Sequence, residues 1–161
     1  MQIIITSGIG EGPTSVAAFD AALINAGVSN YNLLCLSSII PAGSILKRTR
    51  FISPETEYGH RLYVVIARHD EAREGNAAWA GLGWTQEKEH GRGLFVELHG
   101  NDKVEVKKAI HDSLKAMSAN RSIPCGAIET EIVGIPCRGK PVCAVVVAVY
   151  QSERWRRDSD G

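Results

Sequence analysis

The sequence predicts an α+β fold, arranged as a layered sandwich of strands and helices. The length of 161 residues suits one domain. Short apolar runs typical of strands outnumber the helical patterns, and only two principal helices are indicated. Groups of strands separate the two helices, which disfavours a doubly wound parallel sheet and favours sheets with helices segregated to their faces.

The predicted strands are short runs rich in apolar and β-branched residues. In chain order they cover residues 3–5, 31–36, 62–67, 77–84, 94–98, 128–132 and 142–150. Small residues blur the periodicity of residues 77–84, and we interpret that run as a strand. Residues 39–61 contain two prolines and two glycines, so we expect this long stretch to be irregular.

The first predicted helix follows a glycine-rich stretch, residues 7–13, which we expect to be a loop. Pro13 suits the first helical position, because the N–H that it lacks has no helical partner there. The helix extends to about Ala26, and Gly27 is a typical residue for its end. A dinucleotide fingerprint is disfavoured, since Pro13 occupies the position of its third glycine.

Asp20 falls within an apolar arc of this first helix. The arc is expected to face the core and consists of Val16, Phe19, Leu23 and Ile24. A carboxylate among core residues costs free energy unless a partner neutralises it. Asp20 therefore lies at the rim or caps a local backbone group, or it awaits a cationic ligand or subunit.

The second predicted helix begins after Gly100-Asn101-Asp102. Glu105 follows Asp102 by three residues, as in a capping box. Four apolar residues recur at helical spacing and are expected on the buried face, namely Val106, Ile110, Leu114 and Met117.

Glu97 is the one charged residue of the predicted strand 94–98. Both faces of this strand are mostly apolar, which indicates that both are covered. A carboxyl there loses solvation, which suits a proton donor near neutral pH. The alternative is an edge strand whose Glu97 faces water.

The charge balance argues against a nucleic-acid-binding protein. Lys plus Arg and Asp plus Glu both number 18, so the formal net charge is zero, and a protein that follows nucleic-acid phosphates would be basic. The basic run Arg154–Arg157 is expected to be a frayed, solvated terminus. We expect a cytoplasmic protein, with no membrane partner, because no signal peptide or membrane-spanning run is indicated.

The four cysteines form no C-x-x-C pair and no zinc-finger spacing, so we expect no metal site. They are Cys35, Cys125, Cys137 and Cys143. Cys35 and Cys143 lie in apolar runs, where a free thiol behaves as a small hydrophobic group.

A serine pair, Ser37-Ser38, follows the predicted strand 31–36, and spacing alone describes an ordinary strand end. The segment Asn32-Leu33-Leu34-Cys35-Leu36-Ser37-Ser38-Ile39-Ile40-Pro41, however, is similar to the self-processing segment of pyruvoyl-dependent arginine decarboxylases. The resemblance covers residues 3–150 and includes Gly10-Glu11-Gly12, Phe19-Asp20, Leu23-Ile24-Asn25-Ala26-Gly27, residues 77–84 and Gly93-Leu94-Phe95-Val96-Glu97.

The resemblance implies a four-layer α/β/β/α sandwich with mainly antiparallel sheets, formed by one domain over residues 1–161. It also implies a proenzyme that cuts its own backbone between Ser37 and Ser38. The Ser38 hydroxyl attacks the Ser37 carbonyl to give an ester, and β-elimination and loss of ammonia leave a pyruvoyl group at position 38. The expected products are a β chain, residues 1–37, and an α chain, residues 38–161.

The reaction implied by the resemblance is decarboxylation of L-arginine to agmatine and CO₂. The pyruvoyl ketone forms a Schiff base with the substrate amine and takes up electrons as CO₂ leaves, without pyridoxal phosphate or a metal. Glu97 matches the proton donor of the family, and Asp20 matches the residue that pairs with the guanidinium. Asn32 matches a residue needed for processing and catalysis.

Spacing limits how one subunit can build this site. Asn32 and Ser38 are six residues apart, which is roughly 20 Å along a straight strand. The two residues cannot share one site within a subunit unless the strand doubles back. We therefore predict sites at subunit interfaces, in a homotrimer or a dimer of trimers, as the resemblance implies.

Two alternatives remain open. Residues 47–61 and the tail after Tyr150 depart from the family pattern, so the substrate could be another amino acid. The chain could also be a non-processing homologue that serves as a structural or regulatory subunit.

Overall fold

The computed structural model describes residues 1–156, which form two α-helices and nine strands. The elements in chain order are β1 (Gln2–Glu11), α1 (Ser15–Ala26), β2 (Asn32–Cys35), β3 (Ile39–Ile40), β4 (Ile45–Arg48), a 3₁₀ turn (Glu55–Glu57), β5 (Arg61–Glu71), β6 (Ala77–Gln86), β7 (Gly93–Gly100), α2 (Lys103–Asn120), β8 (Glu129–Pro136) and β9 (Val142–Glu153). The α+β class and the strand assignment of residues 77–84 are confirmed.

The strands form two sheets, with orders β2-β5-β9-β1-β4 and β3-β7-β6-β8. All pairs are antiparallel except β1–β4 and β2–β5, which are parallel. A core that includes Ile5, Phe95 and Val146 fills the space between the sheets. The helix α1 packs on the outer face of the five-stranded sheet, and α2 packs on the outer face of the four-stranded sheet. The predicted four-layer sandwich is therefore present.

The glycine-rich stretch is mostly strand, and its prediction as a loop was wrong. The strand β1 continues to Glu11, and Thr14 caps α1 by accepting a hydrogen bond from the Ala17 N–H. Pro13 therefore precedes the cap. Gly10 shows the reason for the glycines, because a Cβ there would collide with the Ala22 nitrogen. The glycines of β1 allow the helix backbone to lie directly against the strand.

The most buried side chains of α1 are alanines, and the prediction that the arc of Val16, Phe19, Leu23 and Ile24 faces the core is only half confirmed. Phe19 and Leu23 are half-buried and pack against the core, whereas Val16 and Ile24 do not. Ala18, Ala22 and Ala26 are fully buried. Val16 and Ile24 are 74% and 54% exposed, and Asp20 is exposed beside them. Only small side chains fit where a helix touches a strand backbone, so Phe19 and Leu23 pack beside that contact and Val16 and Ile24 remain exposed.

The second helix matches its prediction. Asp102 caps α2 by accepting hydrogen bonds from the N–H groups of Val104 and Glu105. Val106, Ile110 and Leu114 are buried against β6 and β7. Neither helix within residues 1–156 is long and apolar enough to cross a bilayer.

Three smaller expectations need correction. Residues 39–61 contain two short strands, β3 and β4, because their backbone pairs with β7 and β1. Cys35 is exposed, since β2 lies at a sheet edge, whereas Cys143 is buried as expected. The end of the chain is not free over residues 154–156, because the Trp155 indole N–H donates to the Gly59 carbonyl at 2.9 Å. Arg157, the last residue of the predicted basic terminus, lies outside the described residues.

Candidate active site

Ser38 and Glu97 are in direct contact. The Ser38 hydroxyl lies 2.7 Å from both carboxylate oxygens of Glu97, although 59 residues separate them. Ser38 immediately precedes β3, and Glu97 lies on β7, which pairs with β3. The hydroxyl can donate to either oxygen, and both side chains are partly buried. The structure therefore brings together two of the residues singled out from the sequence.

The backbone around Ser38 is held by two hydrogen bonds. The Ile39 N–H donates to the Ser37 carbonyl oxygen at 2.7 Å, which closes a three-residue turn centred on Ser38. The Phe95 N–H donates to the Ser38 carbonyl oxygen at 2.9 Å. The Ser37 carbonyl thus already has a hydrogen-bond donor directed at its oxygen, next to a hydroxyl with a carboxylate partner.

The position of β7 within its sheet explains the setting of Glu97. The strand lies between β3 and β6, although β3 pairs only with Gly93 and Leu94. Because β7 is not an edge strand and Glu97 is half-buried, the alternative of an edge strand facing water was wrong. Leu94 and Val96 pack towards α2, whereas Phe95 packs between the sheets. Side chains alternate along a strand, so Glu97 shares the Phe95 face and lies at the margin of the core between the sheets.

Tyr150, near the end of β9, also contributes to this region. Its hydroxyl donates to the Ile39 carbonyl at 2.7 Å, and its ring meets the Phe95 ring edge-on at 6.3 Å. Burial and the negative charge of Glu97 raise the pKa of Tyr150 to about 12. Sequence reasoning placed Tyr150 only at a strand end, because no local spacing relates it to Ile39, which is 111 residues away.

Asp20 lies on a different surface of the subunit. It is exposed on α1, which covers the outer face of the five-stranded sheet. Ser38 and Glu97 lie on the inner side of that sheet, so the sheet stands between them and Asp20. The structure therefore does not bring Asp20 together with Ser38 within one chain.

Asn32 has partners of its own on the edge strand β2. Its side-chain N–H donates to the Gly59 carbonyl at 2.9 Å, and its backbone N–H donates to the His60 carbonyl at 2.8 Å. Gly59 accepts from both Asn32 and Trp155. Asn32 thus lies on the five-stranded sheet, whereas Ser38 immediately precedes β3 of the four-stranded sheet, and the two side chains bind different groups.

Comparison with known proteins gives several relatives of similar length and name. The chain is 42% identical over 96 residues to the pyruvoyl-dependent arginine decarboxylase of Halobacterium salinarum, an alignment that covers 60% of this chain and 59% of that protein. It is 31% identical over 150 residues to the protein of the same name from Methanothermobacter thermautotrophicus, which covers 91% and 95%. For Thermococcus sibiricus the identity is 28% over 149 residues, which covers 92% and 93%.

The family model for pyruvoyl-dependent arginine decarboxylases matches residues 2–154. This match contains Ser38, Glu97, Tyr150 and both helices, and it ends one residue before Trp155. The chain belongs to the pyruvoyl-dependent arginine decarboxylase family.

Proposed function

We propose that this chain cleaves itself between Ser37 and Ser38 and then decarboxylates L-arginine to agmatine and CO₂. The observation that carries the proposal is the contact of the Ser38 hydroxyl with both oxygens of Glu97, at 2.7 Å. It sets the expected pyruvoyl precursor beside the expected proton donor. Ser38 also fits the precursor role because the carbonyl that its hydroxyl must attack is held by the Ile39 N–H.

The cleavage uses only groups of the chain and one water. The Ser38 Oγ attacks the Ser37 carbonyl carbon, and the hydroxyl proton ends on the Ser38 nitrogen as the C–N bond is replaced by an ester C–O bond. Glu97 orients the hydroxyl, and the Ile39 N–H stabilises the charge that develops on the Ser37 oxygen. Loss of the Cα proton of residue 38 then expels the Ser37 carboxylate. Water replaces the nitrogen, which leaves as ammonia.

The two fragments, residues 1–37 and 38–161, are proposed to remain one folded domain. The strand β1 belongs to the first fragment and pairs with β9 of the second from Ile4 to Glu11. The strand β2 also belongs to the first fragment and pairs, in parallel, with β5 of the second. These ladders and the core around them do not depend on the peptide bond between Ser37 and Ser38, so cleavage leaves the fold intact.

Glu97 is proposed to act as the proton donor during turnover. The pyruvoyl group at position 38 supplies a carbonyl that draws electrons from the substrate α-carbon as CO₂ leaves. Glu97 lies beside residue 38 on an interior strand, at the margin of the core, and can deliver a proton to that carbon. No other acidic side chain is within hydrogen-bond distance of Ser38 among residues 1–156.

Asp20 is proposed to bind the arginine guanidinium of a substrate held at a neighbouring subunit. A carboxylate and a guanidinium form paired, charge-assisted hydrogen bonds. Asp20 is exposed and separated from Ser38 of its own chain by the five-stranded sheet. The exposed Val16 and Ile24 flank it at helical spacing and offer apolar area for a second copy.

Asn32 is proposed to contribute to processing and catalysis from an adjacent subunit in a homotrimer or a dimer of trimers. It is exposed on the edge strand β2 and already orders its amide through Gly59. An edge position lets the side chain face a neighbouring copy, as the separation of Asn32 from Ser38 requires.

The proposed activity is tested by incubating the purified protein with L-arginine, L-ornithine or L-lysine and measuring CO₂ and the amine product. We expect agmatine and CO₂ in equal amounts, with arginine preferred. Glu97→Gln keeps an acceptor beside the Ser38 hydroxyl, so it should still cleave but lose turnover by about 10²–10⁴-fold. Glu87→Gln, whose partner is Arg92, is the control and should keep full turnover. If the protein is cleaved but prefers another amino acid, that amino acid and not arginine is its substrate. If the protein is neither cleaved nor active, it is a structural or regulatory subunit.

A further inference from the structure

The Tyr150 hydroxyl links the five-stranded sheet to the residue that follows the proposed cleavage site. It donates to the Ile39 carbonyl at 2.7 Å. The strand that carries Tyr150, β9, is central in the five-stranded sheet, and its residues from Val142 to Ala148 are fully buried. Ile39 belongs to β3, which has two residues and lies at the edge of the other sheet. The Tyr150–Ile39 hydrogen bond thus connects the buried central strand β9 to the short edge strand β3.

Ile39 carries two groups that matter for the turn at Ser38. Its carbonyl accepts from Tyr150, and its N–H donates to the Ser37 carbonyl oxygen at 2.7 Å. These groups belong to the two peptide planes on either side of the Ile39 Cα. A bond that holds the carbonyl therefore narrows the range of φ and ψ at Ile39, and with it the range of directions that the N–H can take. The edge-on contact of the Tyr150 and Phe95 rings adds to this, because the Phe95 N–H holds the Ser38 carbonyl.

We infer that Tyr150 is a positioning residue for self-cleavage, which acts through Ile39 by aiming the Ile39 N–H at the Ser37 carbonyl oxygen. The inference rests on the proposed self-cleavage. The oxygen that gains negative charge in the attack then has a donor already in place, so less reorganisation is needed as the ester forms. Ser38, Ile39 and Tyr150 all lie in the fragment 38–161, so the same bond holds residue 39 after cleavage.

The chemistry of the Tyr150 hydroxyl agrees with this role. Burial and the nearby charge of Glu97 hold its pKa at about 12. The hydroxyl therefore keeps its proton and donates at every pH at which the protein is expected to work. A phenylalanine has the same ring and lacks only the donor, which makes Tyr150→Phe a narrow test.

Tyr63→Phe is the matched control. The Tyr63 hydroxyl donates to Glu153 at 2.6 Å, also at the end of the five-stranded sheet, and this bond involves none of residues 37–39. Each variant loses one tyrosine hydroxyl bound to one acceptor. A purely structural effect would therefore lower Tm in both and leave both cleavage rates alike.

The cleavage rate is measured by synthesising each protein in a cell-free reaction, stopping samples in denaturant and weighing the fragments by intact mass spectrometry. We expect Tyr150→Phe to cleave about 10-fold more slowly than wild type, the effect of losing one well-placed hydrogen bond in the transition state. Tyr63→Phe should cleave at the wild-type rate. Equal rates for all three proteins, or equal slowing in both variants, would overturn the inference.

A second readout does not need cleavage. In the uncleavable Ser38→Ala background, adding Tyr150→Phe should speed hydrogen exchange at the Ile39 amide, whereas adding Tyr63→Phe should not. Unchanged exchange at Ile39 would contradict the role of Tyr150 even if cleavage is slowed. If wild type never cleaves, the proposed function fails, and this exchange experiment still decides whether Tyr150 holds Ile39.

Discussion

Both helices of this protein pack on strand glycines, but their solvent-exposed faces differ: that of α1 is partly apolar and that of α2 is mostly charged. Gly10 on β1 and Gly83 on β6 both make room for a helix. A Cβ on Gly10 would collide with backbone atoms of α1, at Ala18 and Ala22. A Cβ on Gly83 would collide with the Ile110 side chain of α2. Gly10 therefore allows the backbones of β1 and α1 to touch, whereas Gly83 leaves space on β6 for the large side chain of Ile110.

The outer surfaces differ accordingly. The helix α1 packs its small residues against the strand and exposes Val16, Asp20 and Ile24. The helix α2 buries its large apolar residues and exposes mostly charged ones, among them the pair Lys108–Asp112 at 2.8 Å. An apolar surface that carries one carboxylate suits a partner subunit and a cationic substrate. A solvated charged face suits neither, which agrees with the proposed role of Asp20 on α1 as the residue that binds the substrate guanidinium.

The largest expected effect is on stability, from Gly10→Ala compared with Gly83→Ala. We expect Gly10→Ala to lower the free energy of unfolding by about 3 kcal/mol, because the helix backbone itself must move. We expect a smaller loss for Gly83→Ala, about 2 kcal/mol, because there only the Ile110 side chain and its neighbours must shift. Urea unfolding in the Ser38→Ala background, where each protein is one chain, measures both. Equal losses would show that backbone and side-chain contacts at the two glycines do not differ.

The second effect concerns the two exposed carboxylates, Asp20 on α1 and Asp112 on α2. Asp20→Asn should lower kcat/KM for arginine about 100-fold, as expected for losing hydrogen bonds to a charged group, while cleavage proceeds. Asp112→Asn loses a solvent-exposed pair with Lys108 and should leave kcat/KM unchanged. An Asp20→Asn enzyme with wild-type preference for arginine over lysine would remove Asp20 from the guanidinium site.

The third effect is on assembly and compares two equally exposed valines. Val16 on α1 is 74% exposed and Val104 on α2 is 75% exposed. If α1 faces a second copy, Val16→Asp should dissociate the oligomer at low protein concentration, whereas Val104→Asp should leave the assembly unchanged. Sedimentation velocity across a dilution series gives the answer, and identical profiles for the two variants would contradict an interface at α1.

The smallest effect is on the pH dependence of stability, where the two sheets meet at His69 and His99. Their rings are stacked, with the Nδ1 atoms 3.0 Å apart. Burial, and then the charge of His99, lower the pKa of His69, against the opposing charges of Glu71 and Asp70. The unfolded chain therefore binds more protons, and this contribution to stability is lost as pH falls below about 6.5. His69→Gln should flatten that part of the curve of unfolding free energy against pH, and an unchanged slope would exclude His69 as its source.

Much of the fold could be predicted because its elements follow local rules. Asp102 and Glu105 mark the start of α2, and the spacing of Val106, Ile110 and Leu114 marks its buried face. The glycines of β1 were misread because loops and close-packed strands use the same residue. Only the helix that packs on Gly10 distinguishes the two, and that contact is not local in sequence.

The site was predictable only in part, for the same reason. Ser38 and Glu97 stood out through a resemblance and through a carboxylate in an apolar strand, and the structure places them in contact. Tyr150 carried no such signal, because its link to Ile39 depends on how two sheets face each other. Asp20 was noticed as a carboxylate on an apolar arc, but only Phe19 and Leu23 of that arc pack against the core, and Asp20 lies on its exposed side, which periodicity alone could not reveal.

The most direct test of the proposed self-cleavage is to compare the intact mass of the purified wild-type protein with that of Ser38→Ala. We expect wild type to give two fragments that end and begin at the Ser37–Ser38 bond. The second fragment should have the mass of a pyruvoyl end and should react with hydroxylamine. Ser38→Ala should remain one folded chain. A wild-type protein that stays intact under all folding conditions, or that breaks by hydrolysis to leave a serine at position 38, would contradict the account.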